Sequence, residues 1–367
     1  MTDRSPKYYY PQLDSIRGLS FLAVFFFHSY HPQFGKGIIN EGLQFFYNCL
    51  DYSIDVFFIL SSFLLTWLGI NEYERNGNFS FRNYFLRRAL RIWPLYYILM
   101  FFSFVIVPMG AQYSGIHATL PPPAWYLFFV SNYYTAGHVY FLRFLWTLSV
   151  EEQFYLVLGL CLLFLQKHLK LMIGIFIGVS IGYNFYAVIK NADSYFNTLT
   201  YLFDFGVGAL AAVTLKEKRA WVSKLLSLNR RALFLFYMLM PLIFIVSFFI
   251  SRDLSGISND ALMQCTRFAF ILFIGVFIVK QVEGLSRFPG LEKNRLLIYT
   301  GKISYGLYCF HGIVLTFGDI ALAKMHLVFP GLLRAVILLL INYGVASGSY
   351  YLIERPFLKI KNRLRRI

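Results

Sequence analysis

The chain has 367 residues, of which 58% are hydrophobic, 20% aromatic and 14% charged. Soluble domains carry roughly 25% charged residues, so disorder, a disulfide scaffold and an ordinary cytosolic enzyme are excluded. Its 34 Lys and Arg against 18 Asp and Glu give a formal charge of +16, which in a soluble protein would point to nucleic acid. Here the apolar residues fall in solid blocks, among them 95–108, 171–189, 232–250, 261–279 and 332–353. About 20 such residues cross a bilayer core, and unbroken runs indicate helices where a β-barrel would alternate. The pattern predicts an all-α polytopic transmembrane bundle of about ten spans. They lie near 14–33, 52–70, 92–110, 143–165, 171–190, 198–215, 232–250, 261–280, 303–323 and 331–353. Counted at alternate block ends, 27 of the 34 basic residues fall on one side. The positive-inside rule then puts both termini in the cytoplasm and makes the number of spans even. The basic excess is thus topology, and nucleic acid is no partner.

Three connections exceed a simple turn. In the cytoplasmic arm 71–91, the stretch FRNYFLRRALRIW interleaves arginines with aromatic and aliphatic residues and predicts an interfacial amphipathic helix. The outward loop 110–142 holds three prolines at 121–123 and a short apolar run, 125–130, read as a lid or a partly re-entrant segment. Its aromatics Trp125, Tyr126, Tyr133, Tyr134 and Tyr140 suit sugar stacking and an interfacial belt equally. The loop 282–302 contains Pro289-Gly290. Transporter-like repeats are missing, so residues 1–367 read as one domain with core 12–357 and a basic cytoplasmic tail, 358–367. Cys49, Cys161, Cys265 and Cys309 read as buried small hydrophobes without metal or disulfide spacing. No cleavable signal is expected at the N-terminus.

A charge inside a bilayer costs several kcal/mol, so the few polar residues within spans are the informative ones. Arg17 and His28 lie eleven residues apart, on nearly the same face of one helix and about 16 Å apart along its axis. Asp14 can pair with Arg17 at i, i+3. Arg88 and Arg91 share a helical face and offer a fork for phosphate or carboxylate. Anchoring to anionic lipid explains them equally, as a hydrogen-bonded core histidine would explain His28. Glu151 and Glu152 stand in an otherwise apolar helix and need partners, for which the arginines are the available cations. Asp55, Asp204, Arg267, His311 and Asp319 also lie in or near spans, with Asp55, Arg267 and Asp319 close enough to ends to be structural. Metal-ligand spacing, a phosphate loop and a nucleophile elbow are all lacking. Any chemistry therefore has to use His28 with arginine and carboxylate support.

The segments LDSIRGLSFLAVFFFH, DVFFILSSFLL, RNYFLRRALRIWPLYY, WTLSVEEQFY, ISYGLYCFH and YYLIERPF, in that order, resemble acyltransferase family 3 membrane proteins over residues 12–357. The resemblance implies a membrane O-acyltransferase of surface glycans. It assigns His28 as catalytic base and Glu151 as a catalytic carboxylate. It places Arg17, Arg88 and Arg91 on the acyl donor, and Asp14, Trp146, Tyr305 and His311 at the substrate, beside Ser304 in the same late motif. It implies no tightly bound cofactor and no metal. The expected donor is cytoplasmic acetyl-CoA or another acyl-CoA. The expected acceptor is a carbohydrate or glycolipid, the medium a lipid bilayer and the location the inner membrane. Two positions depart from the family pattern, Ser62 where glycine is usual and Gly159 where proline is usual. The rival class is a transporter or flippase of a glycan or small solute.

Overall fold

The computed structural model describes residues 9–32, 34–113, 120–134, 140–217, 227–283, 288 and 290–364. Expectations for the N-terminal eight residues, for loop segments 114–119 and 135–139, for Pro289 and for residues 365–367 lie outside this set. Among the described residues the regular structure is helical, without a strand. The principal helices are α1 (Pro11–Ser29), α2 (Ile38–Asn48), α3 (Ser53–Asn76), α4 (Phe81–Phe101), α5 (Trp146–Phe164), α6 (Leu169–Lys190) and α7 (Leu202–Glu217). They continue as α8 (Arg230–Ser251), α9 (Gly256–Glu283), α10 (Arg295–Lys302), α11 (Ser304–Lys324), α12 (Gly331–Ser349) and α13 (Arg355–Leu364).

Nine helical stretches among the described residues are long and apolar enough to cross a membrane. The chain is therefore a multi-span membrane protein. The expected first span, α1, is absent from the nine because Asp14 and Arg17 interrupt its apolar character. It is nonetheless enclosed by the others, with Leu13, Phe21, Val24 and Phe25 at 0–2% exposure. A second difference concerns the arm. The stretch expected to form a separate interfacial helix runs straight into the following span as α4, through Pro94. Ser80 caps the helix by accepting from the Asn83 amide, so the chain becomes helical at Phe81 and stays so through Phe101. The run 125–130 forms a short helix, Pro123–Leu127, followed by Phe129 stacked on Tyr96 at 4.4 Å. It is packed against α4 and α5.

Small residues set the closest approaches, as expected where backbones meet inside a membrane. The α7 segment FGVGALAAV lies along α3; a Cβ on Gly208 would stand 2.3 Å from the Ile59 carbonyl oxygen. At the crossing of α1 and α10, a Cβ on Gly301 would stand 1.8 Å from the Asp14 carbonyl oxygen, and one on Gly18 2.6 Å from that of Leu297. The two departures from the family pattern fit here. Ser62 Oγ donates to the Phe205 carbonyl at 2.5 Å and joins α3 to α7. Gly159 leaves room for the rings of Phe81 and Tyr84, which a Cβ would approach to 2.8 Å.

Three helices are tied by one buried ionic group. Arg267 on α9 reaches both oxygens of Asp55 on α3 at 2.9 Å and Asp204 on α7 at 3.1 Å. The Arg267 guanidinium lies over the Tyr201 ring at 4.9 Å. Asp319 pairs with Arg334, the structural role expected near span ends. Cys161 and Cys309 are buried, whereas Cys49 is half-buried and Cys265 exposed, so only two of the four thiols match the expected burial. In the opposite sense, α8 shows Phe234, Leu235, Leu242 and Phe249 at its surface, an apolar face suited to lipid.

Candidate active site

One cavity lies between α1, α3, α4, α5 and α11. Arg17, Arg88 and Arg91 line it together with Glu151, Tyr155 and Tyr305. Helical spacing explains the convergence. Arg88 and Arg91 share a face of α4, and continuity of that helix holds both against the bundle instead of along its rim. Arg17 is 9% exposed, 3.6 Å from Asp14. Asp14 is thus the anchor of Arg17 and is not among the residues lining the cavity. Three guanidiniums around one space present up to fifteen N–H donors, a setting for phosphate oxygens.

The partners of Glu151 differ from expectation. No arginine forms a salt bridge with it among the described residues. Instead Ser61 Oγ donates to Oε1 at 3.0 Å and Tyr155 Oη to Oε2 at 2.8 Å. Glu152 faces the neighbouring sector, where the Trp93 indole N–H reaches its Oε2 at 3.4 Å. Tyr155 stands four residues after Glu151 and Thr147 four before it, so all three share one face of α5 and all line the cavity. That spacing is readable in the motif WTLSVEEQFY.

At the far wall, Tyr308 Oη donates to the Phe144 carbonyl at 2.9 Å and also bonds with Thr147, whose Oγ1 is 2.8 Å away. Beyond this pair lies an aromatic triangle. Phe144 is wedged against His28 at 4.4 Å between ring centres and against His311 at 4.3 Å, and the two imidazoles stack at 5.5 Å. His311 is fully buried, and its Nδ1 is bonded to the Tyr308 carbonyl. A carbonyl can only accept, so Nδ1 carries the proton and Nε2 keeps its lone pair. His28 is half-buried at the end of α1. The geometry thus gathers Arg17, Arg88, Arg91, Glu151, Ser304 and Tyr305 in one cavity and joins His28 with His311 behind it. Tyr305 Oη donates to the Ile92 carbonyl at 2.6 Å, fixing α11 to α4. Trp146 is elsewhere. It is 4% exposed, packed among Phe58, Tyr195, Phe196 and Tyr201. Of the loop aromatics, Tyr126 is wholly buried, Tyr133 is exposed and the Tyr140 side chain lies outside the described residues.

The bundle is thus a multi-span membrane protein with an arginine-lined cavity, and the stacked His28 and His311 lie beyond the residues that line it. The chain belongs to acyltransferase family 3: a family model described as "Acyltransferase domain" matches residues 10–351. It is 24% identical over 381 residues to the peptidoglycan O-acetyltransferase OatA of Listeria monocytogenes, covering 98% of this chain and 57% of that protein. It is 26% identical to a Bacillus subtilis protein provisionally named peptidoglycan O-acetyltransferase YrhL, covering 95% and 55% of the two chains. A provisionally named O-acetyltransferase of Staphylococcus aureus is 27% identical, with 96% and 58% covered. The chain spans a little over half the length of these curated relatives. No solved structure matches it.

Proposed function

We propose that this protein is an O-acetyltransferase that moves an acetyl group from cytoplasmic acetyl-CoA to a hydroxyl of an envelope glycan on the other side of the inner membrane. The observation that carries the reading is the convergence of Arg17, Arg88 and Arg91 on one intramembrane cavity, with His28 farther along the helix that bears Arg17. In this reading both termini are cytoplasmic and the arginine-lined cavity opens toward the donor. The CoA phosphates bind the guanidiniums. The roughly 16 Å from Arg17 to His28 matches an extended pantetheine arm, so the thioester reaches the histidine pair.

His28 takes the proton of the acceptor hydroxyl while that oxygen attacks the acetyl carbonyl. A C–O bond forms, the C–S bond breaks, and the departing CoA thiolate takes the proton back from the imidazolium. Imidazole is the side chain that changes protonation nearest neutrality, which suits both halves of this exchange. His311, held as one tautomer by the Tyr308 carbonyl, keeps the second ring in place. Glu151, held by two hydroxyls, balances the three arginines without closing onto any of them.

The test is transfer of labelled acetyl from acetyl-CoA by the purified protein in liposomes. His28→Ala is expected to abolish transfer, and Arg88→Ala or Arg91→Ala to raise the KM for acetyl-CoA tenfold or more. Full activity in His28→Ala would overturn the assignment of the base. An unchanged KM in both arginine variants would overturn the donor site. Glycan movement without acetyl transfer would favour a flippase.

A further inference from the structure

A second cavity, of about 340 Å³, lies toward the opposite end of the bundle. It is lined from the start of α3, the end of α6 and the beginning of α9. Its volume is that of a small-molecule site. Ile54 lines both cavities, so the two spaces share a wall. Nothing in the donor chemistry uses this second space.

Its lining combines acidic, amide, aromatic and apolar side chains. Asp51, Asp193 and Asp260 contribute carboxylates; the Arg267 guanidinium is engaged by Asp55 and Asp204. Tyr195 supplies a half-open ring, 36% exposed, and its Oη donates to Asp51 Oδ1 at 2.9 Å. Two amides line the same space with unused capacity. Asn184 is 1% exposed; its Nδ2 donates to the Ser180 carbonyl at 2.8 Å, while its buried Oδ1 accepts nothing among the described residues. The buried Nε2 of Gln264 likewise has no hydrogen-bond partner among them. The buried Asn184 Oδ1 is therefore an acceptor open to a hydroxyl of a guest in this cavity. No three carboxylates converge closely enough to hold a metal ion among the described residues.

We propose that this cavity is the acceptor site and that it takes a neutral or amine-bearing sugar ring. Carboxylates and the Asn184 oxygen accept from ring hydroxyls, Gln264 donates to a ring or acetamido oxygen, and Tyr195 offers an apolar face. The same carboxylates repel uronates and phosphosugars. This assignment rests on the transferase reading for its meaning as an acceptor site, but sugar binding is testable without catalysis.

The probe is a neutral N-acetylglucosamine tetrasaccharide, titrated by calorimetry against the whole protein in detergent. An oligogalacturonate of the same length serves as its anionic counterpart. The neutral sugar is expected to bind saturably and at least tenfold more tightly than the anionic one. Asn184→Leu should weaken the neutral sugar tenfold or more. Asp193→Asn with Asp260→Asn, both at exposed positions where folding is not at stake, should narrow the gap between the sugars. The inference is overturned if the neutral sugar does not bind the folded wild type, or if the Asn184 and the double variant both bind it unchanged. Labelled acetyl-CoA added to the same preparation separates the two claims. Acetyl transfer to glycan with no sugar binding here sinks the cavity assignment alone. Sugar binding lost in Asn184→Leu, with no acetyl moved by the wild type, sinks the transferase reading and leaves the cavity standing.

Discussion

Replacing Gly301 by alanine adds one methyl group at the crossing of α1 and α10, and the consequences can be followed from there to the site. The new Cβ would stand 1.8 Å from the Asp14 carbonyl oxygen and 2.4 Å from its carbonyl carbon. Non-bonded heavy atoms rest about 3.5–4 Å apart, so the helices must separate by about 2 Å. The obstacle is backbone, which no rotamer change removes. Overpacking of this kind costs about 1–3 kcal/mol, and the backbone clash puts Gly301→Ala at the upper end. The helix displaced is α1, which carries both Arg17 and His28. A shift of about 1 Å at reacting groups can cost about 100-fold in rate. Gly178→Ala on α6 is the control: nothing lies within 4 Å of its added Cβ, and alanine is favoured over glycine inside a helix by roughly 1 kcal/mol. Thermal denaturation in detergent and acetyl transfer in liposomes are the assays. The expectation is a lower melting temperature and about 100-fold lower turnover for Gly301→Ala, with the control unchanged or slightly stabilised. Wild-type melting and turnover in Gly301→Ala would refute the argument that this crossing positions α1.

Arg267→Met leaves Asp55 and Asp204 facing each other in the core without their cation, and removing one member of a buried ion group costs about 3–5 kcal/mol. Denaturation should show that loss, and a change below about 1 kcal/mol would mean the group is not the tie between α3, α7 and α9. Tyr155→Phe removes one of the two hydroxyls on Glu151, costing about 1 kcal/mol of stability. It should lower kcat with little change in the KM for acetyl-CoA; a purely raised KM would reassign Glu151 to donor binding. Gly159→Ala drives a methyl group into the rings of Phe81 and Tyr84 and should destabilise by about 1–3 kcal/mol, read as a lower melting temperature. An unchanged melting temperature would show that α4 and α5 have slack there.

Nine of the ten expected spans were legible because lipid demands long apolar runs, and a run is a local property of sequence. Helix α1 was legible from the same charge alternation as the other spans, although being enclosed by protein it need not be apolar throughout. The continuity of α4 was hidden by its own arginines: their alternation with aromatics imitates an interfacial helix, and only the neighbouring α5 and α11 reveal which face is buried. Within the site, Arg17, Arg88, Arg91 and Glu151 stood out as charges in apolar surroundings. Ser61, Thr147 and Tyr308 did not, because hydroxyls are common in spans and their meaning depends on what they face. The second cavity was the least legible part. Asp51, Asn184 and Gln264 come from three helical regions far apart in sequence, and no local spacing connects them.

The central claim is that His28 lies on the path of an acetyl group to an envelope glycan. Mass spectrometry of glycans from cells lacking the protein, complemented with either wild type or His28→Ala, tests it most directly. The account predicts a sugar that carries an added acetyl group with the wild type and lacks it with His28→Ala at equal protein abundance. The same acetylated sugar in both strains would contradict it.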